Sequence, residues 1–150
     1  MPVAVVHPMQ PTDPLGSSPP CLVLVDSSVW IEALRPNGDS NCRQAVQSAL
    51  MDNTAATCEI VLAEVLQGVA NDAEASRLEQ LLLGAIVLPM DGAGPAAAHI
   101  SRALRACGIA VKVGDLLICG TALVNGAAIM HRDKHLSQIA QIAGIEGFLA

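Results

Sequence analysis

Leu22-Val23-Leu24-Val25-Asp26-Ser27-Ser28-Val29-Trp30-Ile31 is the stretch that decides how this chain folds. Leu22 to Val25 is a short, continuous apolar run, the pattern of a strand buried on both faces. Asp26-Ser27-Ser28 then offers side-chain acceptors to the free N–H groups of a helix start. Val29, Trp30, Ile31 and Leu34 carry the helix on. A buried strand that passes directly into a helix is the building unit of a parallel α/β sheet. An acid at that junction stands at the carboxyl end of its strand, the edge where such sheets bind ligands.

The rest of the chain repeats the alternation. Arg35-Pro36-Asn37-Gly38 stops the first helix, and Ser40 to Met51 forms a second, with Cys42, Val46, Ala49 and Leu50 as its apolar stripe. Ala55 to Thr57 is a strand, followed by a helix through Ile60, Ala63, Glu64, Leu66 and Gln67 that Gly68 stops. Asn71-Asp72 opens a helix to Leu83, and Ala85 to Leu88 is the third strand. Pro95 opens a helix that Gly108 ends. Gly114-Asp115 begins another, closed by Asn125-Gly126. Ala128 to Met130 is the fourth strand, His131 to Lys134 a loop, Leu136 to Ile142 a last helix, and Gly147 to Leu149 an edge strand. The expected fold is α/β, with a parallel four- to five-stranded sheet and helices on both faces. Six of the nine prolines fall in residues 1–20. That segment is expected to be a mobile tail, ahead of one folded domain over residues 21–150.

Composition narrows the function classes. The 150 residues suit a single domain, and 52% of them are hydrophobic, more than a small monomer needs for its core. Some apolar surface is therefore expected to be covered, which predicts a homodimer. No apolar run is long enough to span a membrane, and nothing after Met1 resembles a secretory signal. Five cysteines without a C-x-x-C read as reduced thiols of a cytoplasmic protein. A net charge of −6 argues against broad electrostatic capture of nucleic acid, although a bound metal would reverse the sign locally.

Four acids occupy places of interest: Asp26, Glu64, Asp115 and Asp133. Asp26 and Asp133 follow strands directly, and Glu64 lies about one turn into the helix after the second strand. Asp115 opens a helix that leads into a strand. Such a start normally lies at the opposite edge, so it needs an irregular crossing between Gly108 and Gly114. Singly, each acid could be a cap, a turn residue or a solvated carboxylate. Gathered together, they would repel one another and favour a hard divalent cation, Mg²⁺ or Mn²⁺. A centre of one such ion, or of two about 4 Å apart, orients water for attack on a phosphodiester.

Four blocks of this sequence resemble, in order, those of PIN-domain ribonucleases, in particular the VapC-type toxins of bacterial toxin–antitoxin pairs. They are Leu24 to Ile31; Ile60 to Gly68; Gly114 to Ile118 with Thr121-Ala122; and Arg132 to Leu136. The resemblance covers most of Leu22 to Ala143. It implies a PIN-like three-layer fold and a metal-dependent endoribonuclease. In that family's terms Asp26, Glu64, Asp115 and Asp133 hold Mg²⁺ or Mn²⁺ and activate water, and the start of the Asp115 helix enters the acidic pocket. Ser28 matches as a hydroxyl near the metal, and a cognate antitoxin is the implied partner. Two positions depart from the pattern. His131 stands where the family often has Thr or Ser, and Leu136 where it often has Phe.

Other features give rival readings. His131 and His135 have zinc-like spacing but no third ligand nearby in sequence. Gly92-Ala93-Gly94-Pro95-Ala96-Ala97 fits a dinucleotide-binding turn, with Asp115 at a suitable distance, but Pro95 removes an N–H that phosphate would use. A phosphohydrolase using Asp26 as nucleophile usually has a second acid two residues on, where Ser28 stands. Trp30 and Phe148 are the only aromatics, too few for a base-stacking platform. RNA contacts would then fall to its phosphates, with Arg35, Arg43, Lys112, Arg132 and Lys134 as the basic candidates and Arg132 and Lys134 nearest the acids in sequence.

Overall fold

The structure is a computed structural model that describes residues 21–150, so the expected tail over residues 1–20 lies outside the described residues. The elements run β1 (Val23–Val25), α1 (Ser27–Leu34), α2 (Ser40–Met51), β2 (Ala55–Thr57), α3 (Glu59–Leu66) and α4 (Asp72–Leu82). Then come β3 (Ile86–Val87), α5 (Ala93–Ala106), α6 (Val113–Asn125), β4 (Ala128–His131), α7 (Lys134–Ala143) and β5 (Gly147–Leu149). The five strands form one parallel sheet in the order β3-β2-β1-β4-β5. This is the α/β, PIN-like architecture the sequence predicts.

Strand order fixes where a site can be. From β1 the chain steps outward through β2 to β3, then crosses to β4 on the other side of β1. Connections leaving adjacent strands in opposite directions open a crevice beyond their carboxyl ends. Here that crevice lies between β1 and β4, whose register pairs Val25 with Met130. The ladder closes as the Asp26 N–H donates to the Met130 carbonyl at 2.9 Å. Beneath it Leu24, Val25, Ala56 and Ile129 are fully buried, and Trp30, at 1% exposure, belongs to the same core.

The helix before β4 reaches this edge by an extra pass. Asn125 at the end of α6 donates to the Pro89 carbonyl, just before α5, at 2.9 Å. Gly120 lies against Ala93 and Ala97 of α5, so α5 and α6 are antiparallel. A Cβ on Gly120 would stand 2.6 Å from the Ala93 carbonyl oxygen. This close approach accounts for the small residues in the Gly92–Ala97 segment without a phosphate. The hairpin returns the chain to the carboxyl edge of the sheet, and α6 begins there with Asp115 in its first turn.

Several boundaries differ from expectation: β3 spans only Ile86–Val87, α7 already starts at Lys134 within the expected loop, and the start of α5 and the end of β4 also move. α5 starts at Ala93, behind Gly92 at φ 77°, and Pro95 sits within its first turn, where the missing N–H has no helical partner to lose. β4 extends through His131 because pairing with β5 continues that far; the His131 carbonyl accepts from the Ala150 N–H at 2.8 Å.

Candidate active site

Asp26 is 4% exposed and caps α1. Its Oδ2 accepts from the Ser28 backbone N–H at 3.3 Å and from the Ser28 hydroxyl at 2.5 Å. The neighbouring hydroxyl, Ser27 Oγ, donates across to Glu64 Oε2 at 2.5 Å. Successive helical residues point about 100° apart, so two adjacent serines serve two different acids. Sequence reasoning singled out Ser28 and read Ser27 only as cap chemistry; the adjacent pair of hydroxyls after Asp26 is the signal for both.

Glu64 lies in the second turn of α3, half-buried, and reaches the start of α6. A Cβ on Gly114 would stand 2.8 Å from Glu64 Oε1, so this glycine makes room for the carboxylate. Asp115 follows it, also half-buried. Burial is the main force raising its carboxyl above the usual range, and the charges of Asp26 and Glu64 push the same way. Lys112 opposes them, while Asp133 adds to the rise. All four acids thus share one electrostatic neighbourhood. Asp133, at the rim, is exposed and caps α7, its Oδ1 accepting from the His135 N–H at 2.8 Å.

The nearby ion pairs use other acids. Arg132 pairs with Asp39 at 3.2 Å and with Glu32 at 3.7 Å, and Arg35 with Glu32 at 3.0 Å. Arg43 donates to the Ala33 and Arg35 carbonyls. Among the described residues, none of Asp26, Glu64, Asp115 or Asp133 is in an ion pair, and Lys112 and Lys134 are exposed near them. Clustered oxygen donors without a cation of their own fit Mg²⁺ or Mn²⁺. No three His, Cys, Asp or Glu side chains among the described residues converge tightly enough to enclose an ion by themselves. Mg²⁺ does not require this, since it keeps several waters and takes one or two carboxylates directly. A structural zinc site does require it. His131 is buried on β4 while His135 is exposed on α7, and no zinc set forms among the described residues. Two surface hollows, about 760 Å³ along α2 and the C-terminus and about 340 Å³ between α1, α3 and α4, contain none of the four acids. Charge, more than concavity, locates the site.

A five-stranded parallel sheet with acids gathered beyond β1 and β4 defines the class of protein, and the family comparison agrees. The PIN domain family model matches residues 23–142, and the chain belongs to that family. Within it, the chain is 36% identical over 130 residues to the VapC ribonuclease Mb1587 of Mycobacterium bovis, covering 83% of this chain and 96% of that protein. Ribonuclease VapC11 of Mycobacterium tuberculosis gives the same figures. Among solved structures, VapBC2 from Rickettsia felis bound to a DNA fragment from its promoter matches with a TM-score of 0.68. The match has 17% identity and covers 85% of this chain and 98% of that one. At that identity the likeness shows the fold alone.

Proposed function

We propose that this chain is a metal-dependent endoribonuclease, the toxin of a toxin–antitoxin pair, with its nuclease domain over residues 21–150. The observation that carries this is that Asp26, Glu64 and Asp133 all bear on the Asp115 carboxyl at the sheet's switch point, while among the described residues none of the four is in an ion pair. The ribonuclease names of its relatives support RNA as the substrate. VapBC-5 from Mycobacterium tuberculosis, a member of a toxin–antitoxin family that shares this fold at a TM-score of 0.59 and 22% identity, supports an antitoxin partner. An antitoxin segment would inhibit by covering the acids. No described helix is long and apolar enough to cross a membrane, and the cytoplasm is the proposed location.

In this mechanism Asp26, Glu64, Asp115 and Asp133 would hold Mg²⁺ or Mn²⁺, some of them through water. When bound, such an ion would supply positive charge for a phosphodiester and lower the pKa of a water. Ser28 fixes the Asp26 carboxylate, and Ser27 fixes Glu64. Like charges this near one another, Asp26 buried and Glu64 and Asp115 half-buried, favour positive charge at this edge. Lys134, exposed at the start of α7, and Arg132, exposed just before it, would meet RNA phosphate. For Arg132 that means sharing its guanidinium with Asp39. A mixed RNA pool incubated with the protein tests this directly. Cleavage is expected with Mg²⁺ and is expected to vanish with EDTA or in Asp26→Ala. Cleavage that persists through both would remove the proposal.

A further inference from the structure

β4 ends on a histidine for which the proposed chemistry has no use. His131 is 1% exposed and is held on several sides. Its carbonyl is taken by the Ala150 N–H. Its Nε2 lies 3.4 Å from Ser137 Oγ on α7. A Cβ on Gly147 of β5 would stand only 3.1 Å from that same Nε2, so the ring fills the room a side chain there would need. Nδ1 is buried and makes no hydrogen bond of good geometry among the described residues. Two residues on, Asp133 is exposed, and its carboxylate bonds to the His135 N–H. Between them Arg132 is tied outward to Asp39 and Glu32. The short link from β4 to α7 is thus pinned inward by His131 and outward by Arg132.

We propose that His131 is a positioning residue for Asp133: its buried ring, wedged between Ser137 and Gly147, sets the angle at which the chain leaves β4 and so places the Asp133 carboxylate. Thr or Ser here would be too short to reach Ser137 and fill the space over Gly147 together. The role of Asp133 in holding metal rests on the proposed nuclease centre; the placing of its carboxylate does not.

The test uses the full-length protein and the variants H131T, S137A, D133A and H131T/D133A. Calorimetric titration with Mn²⁺ is expected to show about tenfold weaker binding in H131T, the scale of loss when a supporting residue behind a ligand is removed. S137A should shift affinity the same way by less, and H131T should add nothing once Asp133 is Ala. Hydrogen exchange at the His135 amide, read without metal, is expected to quicken by about threefold or more in H131T as its bond to Asp133 loosens. Unchanged Mn²⁺ affinity in H131T, or an equal loss in the D133A background, would overturn the proposal. If the wild-type protein binds no Mn²⁺, the metal centre fails instead, and the His135 amide alone decides: faster exchange supports positioning and unchanged exchange refutes it. Should H131T fail to fold, S137A carries both measurements by the same criteria.

Discussion

Asp115 shows at single-residue scale what the site stores when no cation is bound. Its folded-state pKa lies above its unfolded one, because of burial and the charges of Asp26 and Glu64. The folded chain therefore holds this proton the more tightly. The group favours folding while protonated, and that contribution is lost as pH rises through the ordinary carboxylate range to the raised value. Asn at this position cannot ionise. Asp115→Asn is expected to raise the thermal midpoint of the metal-free protein at neutral pH, with the gain fading below about pH 4, where the unfolded carboxyl is also protonated. Scanning calorimetry in EDTA checks this, and a lower midpoint for the variant at neutral pH would contradict it. Mg²⁺ should then stabilise the wild type, by roughly 2.7 kcal/mol at a hundredfold excess over Kd, and the variant much less.

The elements explain why some of the site was legible and some was not. Asp26 could be placed because a buried strand and a cap signal are both local, and Glu64 because its helix follows a short strand directly. Asp115 could not be placed by that logic. Its position depends on the α5–α6 hairpin, whose antiparallel packing rests on a contact between Gly120 and Ala93 that no local pattern announces. The local sequence at His131 reads as loop for the same reason, since only pairing with the distant β5 extends β4 to include it. Gly114 links two of these elements and gives a sharp prediction. In Gly114→Ala the new methyl meets the end of a flexible side chain, Glu64 Oε1, and no rigid backbone. An Ala here also loses less backbone freedom on folding than Gly, a small gain in the first turn of α6. Stability should hold or rise slightly, while displacement of the Glu64 carboxylate lowers RNA cleavage by about tenfold or more. Loss of stability with cleavage intact would show that Glu64 does not need its present place.

At the scale of the molecule, part of the apolar excess in the composition lies on the surface. Val113, Leu123 and Val124 on α6, Ile86 and Val87 on β3, and Phe148 and Leu149 on β5 are exposed. Exposed apolar surface of this kind motivates the proposed homodimer, and light scattering at micromolar concentration is expected to give twice the chain mass; a monomeric mass would rule it out. The central claim, one metal centre made by four acids from four elements, is tested most directly by the rate of Mg²⁺-dependent RNA cleavage in single variants. Asp26→Asn, Glu64→Gln, Asp115→Asn and Asp133→Asn are compared with Glu79→Gln, an exposed acid on α4. Each of the four is predicted to lose about a hundredfold or more, since removing a ligand costs at least as much as removing its support, with Glu79→Gln unchanged. Wild-type rates in Asp26→Asn or Glu64→Gln would contradict the account.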